Sequence, residues 1–239
     1  MSETERRGID PGFLATLFDG LLPLSLPLKC SKALILETAM RGGYLDVLAI
    51  NDSESRSRWY RSYLQNHILR DMRKARDMRK LDVVARVLES VVTYSGRALS
   101  KAGVAHFLGI SEPKVLLEDY KKKLNEGVQL TKTWVYNQLK PEVDCHPTRA
   151  LNYFRSRQCE IDFLVTNEKG YIVGIEVKAS ESVNIQDFQD FRWFQSVVGK
   201  EHFTGVILYA GDMVRSGGNG LFALPMAALW SDVTQWKAL

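Results

Sequence analysis

The stretch CEIDFLVTNEKGYIVGIEVKAS, Cys159 to Ser180, decides the fold. Two apolar runs flank the polar turn Asn167 to Gly170, which is the pattern of a β-hairpin. Each run nevertheless carries an acid. Asp162 sits in EIDFLV, a near-continuous apolar segment of the kind buried on both faces. In the second run side chains alternate, so Tyr171, Val173, Ile175 and Val177 share one face, while Ile172, Gly174, Glu176 and Lys178 share the other. An ionised carboxylate without a partner costs several kcal/mol to bury. Two acids and a lysine at the mouths of adjacent strands therefore point to a shared partner, and a divalent cation is the economical one.

Mg²⁺ takes oxygen ligands and commonly needs only one or two carboxylates beside its waters and a phosphate. Asp162 and Glu176 would supply the carboxylates and the carbonyl of Val177 a further oxygen. Lys178, two residues beyond Glu176, would orient or deprotonate the attacking water and offset charge in the transition state. The candidate catalytic residues are thus Asp162, Glu176 and Lys178, and the candidate metal ligands Asp162, Glu176 and Val177. The competing structural reading pairs Lys178 with Glu176 or Asp162 at the sheet end.

Working outward, LTKTWVYNQLKPE is expected to be a helix before the strands, and ALNYFR an additional strand ahead of the hairpin. A helix over NIQDFQDFRWFQSVVG then leads into the apolar strand FTGVILYAG. Helix, three strands, helix, strand builds an α/β sandwich on a mixed sheet. The aromatic run DFQDFRWF belongs to the helix that covers that sheet.

Upstream the chain reads as helical. ALILETAMRGGYLDVLA is expected to end a helix at Gly42 and Gly43, where a left-handed cap forms easily. From SESRSRWYRSYLQN onward a long helix, or two abutting ones, carries nine Lys or Arg between Arg56 and Lys80 against Asp71 and Asp77, which leaves a local charge of +7. Such a run is either a solvated face with i, i+4 pairs or a phosphate-contacting surface. Around residues 95–126, AHFLGISEPKVLL has the shape of a helix-turn-helix, with Ser111 as the cap of its second helix and Pro113 in that helix's first turn.

Composition is that of an ordinary globular chain, 45% hydrophobic and 25% charged over 239 residues, with a net charge of +4. No run of eighteen apolar residues exists, so no membrane span is expected. The start MSETERRGIDPG lacks the apolar core of a signal peptide, which predicts a cytoplasmic protein. Cys30, Cys145 and Cys159 form no CxxC pair and are expected as reduced structural thiols. Gly199-Lys200 lacks the upstream Gly and the following hydroxyl of a phosphate-binding loop, so no ATP is expected.

Asp162 followed by Glu176-Val177-Lys178, set in this element order, resembles the PD-(D/E)XK nuclease superfamily. More closely, RGGYLDVL, RSRWYRSYLQNHILRDMRK, the helix-turn-helix, LNYFRSRQCEIDFLV, GIEVKAS and VILYAG…FALPMAALW resemble, in order, the C-terminal region of a prokaryotic AAA-type ATPase family. That region is a nuclease-like domain of uncharacterised function. The resemblance implies an α+β protein with a helical region over 1–127, including the helix-turn-helix, and a restriction-endonuclease-like α/β sandwich with a mixed central sheet over 128–239. It also implies DNA as a partner, Mg²⁺ as a cofactor and a separate ATPase as a docking partner, because the ATPase module is missing here. After YKKKLNEG an internal deletion is implied.

One departure bears on chemistry. Relatives carry a pattern like LxETWVxNEL in the helix before the strands, whereas this chain reads LTKTWVYNQL, with Lys132 and Gln138 at the acidic positions. A cation in place of an acid weakens Mg²⁺ binding; Glu160 is the acid that would compensate. The expectation is a nucleic-acid-binding protein, catalytically weak or inactive, that grips the backbone with Arg56, Arg58, Arg70, Arg73, Lys74, Arg155 and Arg157. An Mg-dependent DNA phosphodiesterase and a docking partner of an ATPase are the alternatives.

Overall fold

The computed structural model describes residues 1–9, 12–23, 30–64, 66 and 128–238. The expected helix-turn-helix, the continuation of the basic helix, and Arg70, Arg73 and Lys74 lie outside the described residues. The chain divides into two compact units, Met1–Glu37 with Thr131–Leu239, and Thr38–Leu130. Residues 1–37 group with the sheet.

In the first unit six strands form one sheet: β2 (Ala150–Arg155), β3 (Glu160–Thr166), β4 (Ile172–Lys178), β5 (Phe203–Tyr209), β6 (Arg215–Gly218) and β7 (Leu221–Pro225), in the spatial order β2-β3-β4-β5-β7-β6. β2, β3 and β4 run antiparallel, β4, β5 and β7 parallel, and β6 antiparallel to β7. The result is the expected mixed sheet. The β3–β4 turn is built by Asn167, whose side-chain oxygen accepts the N–H groups of Lys169 and Tyr171, both at 3.0 Å. Gly170 supplies the left-handed φ of 74° that closes it.

Because β4 and β5 are parallel, their connection must cross over. It does so through a 3-10 turn, Ile185–Phe188, and a helix, Gln189–Val198. Phe188, Phe191 and Phe194 of this crossover are buried with Ile161, Phe203, Ile207 and Leu221. Their approach depends on two glycines in register, Gly174 and Gly205. A Cβ on Gly205 would come within 2.7 Å of both Phe191 and Leu221, and one on Gly174 within 2.6 Å of Phe203. Gly205→Ala is therefore expected to lower stability by about 1–3 kcal/mol through overpacking, read as a fall in the urea midpoint.

A helix over Val128–Asp144 supplies the buried residues Val135, Leu139 and Val143. Trp134 meets Trp230 edge-on at 5.5 Å, and Tyr136 lies 6.3 Å from Phe163 of β3. The N-terminal segment packs here as well. Its two short helices, α1 (Glu3–Arg7) and α2 (Phe13–Phe18), bury Phe13, Leu14 and Leu17. The Glu142 carboxylate accepts the N–H groups of Leu14 and Ala15 at 3.0 and 2.9 Å. β1 (Leu21–Leu22) pairs antiparallel with β8 (Lys237–Ala238). This interdigitation is why residues 1–37 belong with the sheet.

The second unit contains α4 (Leu45–Leu48) and α5 (Ser53–Tyr63), preceded by the end of α3 (Lys32–Arg41). α3 stops where Gly42 takes a φ of 73°, as expected. Asp52 caps α5 by accepting the Ser55 N–H at 2.7 Å. Trp59 and Tyr63, one turn apart, stack with rings 5.2 Å apart, and Tyr44 packs against both. Among the described residues no helix is long and apolar enough to cross a membrane.

Candidate functional site

Asp162 owes its position to an irregularity. Between β2 and β3 the register shifts: Asn152 faces Leu164 and Phe154 faces Ile161, so three steps on β3 match two on β2. An extra residue in one strand is a β-bulge, which re-aims the side chains beside it. Ile161 and Leu164 both join the cluster around Phe191. Asp162, lying between them, instead meets the helix Val128–Asp144 and β4.

Its contacts are specific. The Lys132 ammonium pairs with Asp162 Oδ1. Asp162 Oδ2 accepts the Val177 N–H at 2.9 Å. The side chains of Lys132 and Asp162 keep only 15% and 6% of their exposure, so water screens this pair little. Burial raises the Asp162 carboxyl above its usual range, opposed by Lys132 and by the Val177 N–H.

Glu176 lies beside it, since the β3–β4 register pairs Phe163 with Ile175 and brings the next residues together. Glu176 Oε2 is buried and has no hydrogen-bond partner. Burial, and then the charge of Asp162, push the Glu176 carboxyl up to about 8, against the opposing pull of Lys132 and Lys178. Two neighbouring carboxyls thus share one close ammonium. Asp162 holds it, and Glu176, left without it, is shifted toward its protonated form.

Lys178 takes neither of the partners considered for it from sequence. Its ammonium pairs with Asp187 at 3.1 Å. Asp187 also accepts the Asn184 N–H at 2.8 Å in a capping box at the start of the crossover. The Asn184-x-x-Asp187 spacing carried a signal for the cap, but none for the lysine. Val177 brings its N–H to Asp162, where its carbonyl was expected as a ligand. Glu160, the expected compensating acid, is exposed and faces Arg155 at 3.5 Å. Of the two positions where the resemblance led to an acid being expected, Lys132 is at the site. Gln138 accepts the Glu3 N–H at 2.6 Å and so serves the N-terminal segment.

With Lys132 on Asp162, this donor set does not fit Mg²⁺. One Asp162 oxygen faces an ammonium and the other accepts an N–H. Among the described residues no three His, Cys, Asp or Glu side chains gather where they could hold a metal ion. The cluster is a largely buried ion pair beside a carboxyl whose protonated form burial favours.

The cationic residues divide similarly. Arg155 and Arg157 are exposed at the end of β2, next to the β3 segment that carries Asp162. Arg58 is exposed and donates to Ser55 Oγ at 3.1 Å. Arg56, expected on the nucleic-acid surface, donates to the carbonyls of Ile50 and Asn51 at 3.1 and 2.9 Å. It closes the loop before α5. Cys30 and Cys159 are buried free thiols, each pushed up to about 11 by burial, and Cys145 is an exposed free thiol.

Comparison with known families finds two matches. Residues 129–229 match a domain of unknown function, DUF4143, and residues 32–142 match a second domain of unknown function, DUF8612. The first spans the sheet from the helix before β2 to the turn after β7. No curated protein and no solved structure matches the chain.

Proposed function

We propose that this chain, similar over 129–229 to a domain of unknown function, is a nucleic-acid-binding module on a nuclease-like scaffold that does not turn over its ligand. One observation carries the reading: the Lys132 ammonium sits on Asp162, the carboxylate that a metal-dependent phosphodiesterase would need free. A scaffold does not fix an activity, and here the side chains speak against metal-assisted hydrolysis. Affinity for a phosphate backbone rests on different residues. Arg157 is exposed, and Arg155 pairs with the exposed Glu160 at 3.5 Å, a pair of little net worth that a phosphate oxygen can replace.

The phosphodiesterase reading has one observation in its favour, the convergence of Asp162 and Glu176. It requires Lys132 to leave Asp162, after which Lys178 would have to leave Asp187. The docking role with a separate ATPase rests on the resemblance of the sequence motifs alone.

The test is fluorescence polarisation with single- and double-stranded DNA at several salt concentrations, alongside a cleavage assay with Mg²⁺ or Mn²⁺. Affinity is expected to fall steeply with salt, and Arg155→Ala with Arg157→Ala to reduce the slope by roughly one to two phosphate contacts. No cleavage is expected. A salt-independent affinity would remove the backbone-binding reading, and cleavage lost on Asp162→Asn would establish the enzyme in its place.

A further inference from the structure

We infer that the Lys132 ammonium is the resident cation of this cluster, seated where a divalent ion would join Asp162 to Glu176, and that removing it converts the acid pair into a divalent-cation site. The inference deepens the reading above at the same residues.

Three observations lead to it. Two adjacent buried carboxyls need positive charge close by, and among the described residues the ammonium in contact with Asp162 is that of Lys132. Lys178, the other lysine acting on Glu176, places its ammonium on Asp187 at 3.1 Å. Glu176 Oε2, buried without a partner, is an acceptor that nothing nearby satisfies; such an atom normally finds one.

A tethered ammonium competes with a free ion on unequal terms. It is held at the carboxylate by its own chain, so its effective concentration is high. A divalent ion must displace it and also give up part of its water shell, which Mg²⁺ does reluctantly. Loss of the ammonium reverses the balance. Asp162 Oδ1 is freed, the site becomes net negative, and a double charge a few ångströms from the carboxylates draws Glu176 into its ionised form. The gain comes from charge, so a neutral residue at position 132 suffices, and an arginine there preserves the block.

The experiment is calorimetric titration of Mn²⁺ into the full chain without nucleic acid. The proteins compared are wild type, Lys132→Met, Lys132→Arg, and Lys132→Met combined with Asp162→Asn. Lys132→Met is expected to take up one Mn²⁺ at least about tenfold more tightly than wild type, a difference of 1.4 kcal/mol. Lys132→Arg should behave as wild type, and the double variant should lose the uptake. Wild type binding Mn²⁺ as tightly as Lys132→Met overturns the inference. So does a folded Lys132→Met that takes up none.

If Lys132→Met does not fold without metal, Lys132→Gln, which keeps an N–H for Asp162, is unfolded thermally with and without Mn²⁺. A rise in Tm seen there and not in wild type supports the inference; equal behaviour of the two overturns it. Failure of the titration leaves the DNA measurements untouched, and failure of DNA binding leaves the titration standing.

Discussion

Raising the pH from about 5 to about 9 is expected to remove several kcal/mol of stability from the sheet-bearing unit, and Glu176→Gln to abolish most of that loss. Glu176 is pushed up to about 8 from an ordinary 4.5 by burial and by the neighbouring charge of Asp162. Between those values the folded chain keeps a proton that the unfolded chain has released. The contribution of Glu176 to stability is therefore full below about pH 4.5, declines through the window, and is lost above about pH 8. The whole span corresponds to at most roughly 5 kcal/mol, shared between Glu176 and Asp162 because the two carboxyls interact. Asp162, also raised by burial, contributes with the same sign. Urea unfolding followed by tryptophan fluorescence reads the effect, since Trp134 and Trp230 are buried in this unit. A Glu176→Gln protein with the wild-type pH slope would contradict the assignment.

Glu142→Ala is expected to cost about 3–5 kcal/mol, the range for leaving one half of a buried ion pair unmatched. Glu142 is only 4% exposed. Beyond the two N–H groups of α2, it accepts from Arg149 at 3.2 Å, and the Arg149 guanidinium lies 5.3 Å from the Phe18 ring. α2 has Gly12 as its N-cap residue and no side-chain cap of its own. A helix start leaves several N–H groups without partners, so Glu142 caps α2 from 128 residues further along the chain. Its removal should also loosen the N-terminal segment, seen as faster proteolysis within residues 1–30. Glu142→Gln keeps an acceptor and is expected to lose about half as much or less. A Glu142→Ala protein within about 0.5 kcal/mol of wild type would remove this role.

Both expectations concern residues whose importance sequence reading graded unevenly. Glu176 stood out, because an acid in the run YIVGIEVK contradicts its neighbours. Glu142 did not, because one acid near a helix end looks like any solvated side chain. Its value lies in meeting Leu14, Ala15 and Arg149, and two of those contacts span well over a hundred residues. Arg56 shows the converse. It reads as one cation in a basic run, but the carbonyls of Ile50 and Asn51 occupy it.

The parts of the fold legible in the chain are those with local causes. Alternation marked the hairpin, Asn167 and Gly170 its turn, the aromatic run its crossover helix, and FTGVILY a strand whose seven residues are all buried. β6 and β7 were not resolved as separate strands, because Arg215–Gly218 is short, glycine-rich and exposed at the edge, and becomes a strand through pairing with β7.

By itself, then, the sequence determined that Asp162 and Glu176 end adjacent strands of a mixed sheet, since strand period and turn chemistry act over a few residues. Only the tertiary structure decided what those acids meet. A bulge at Asp162 turns it toward the helix that holds Lys132, and a cap at Asp187 takes Lys178 away. Which cation reaches which carboxylate depends on separations of a few ångströms between distant segments, and no local pattern encodes them.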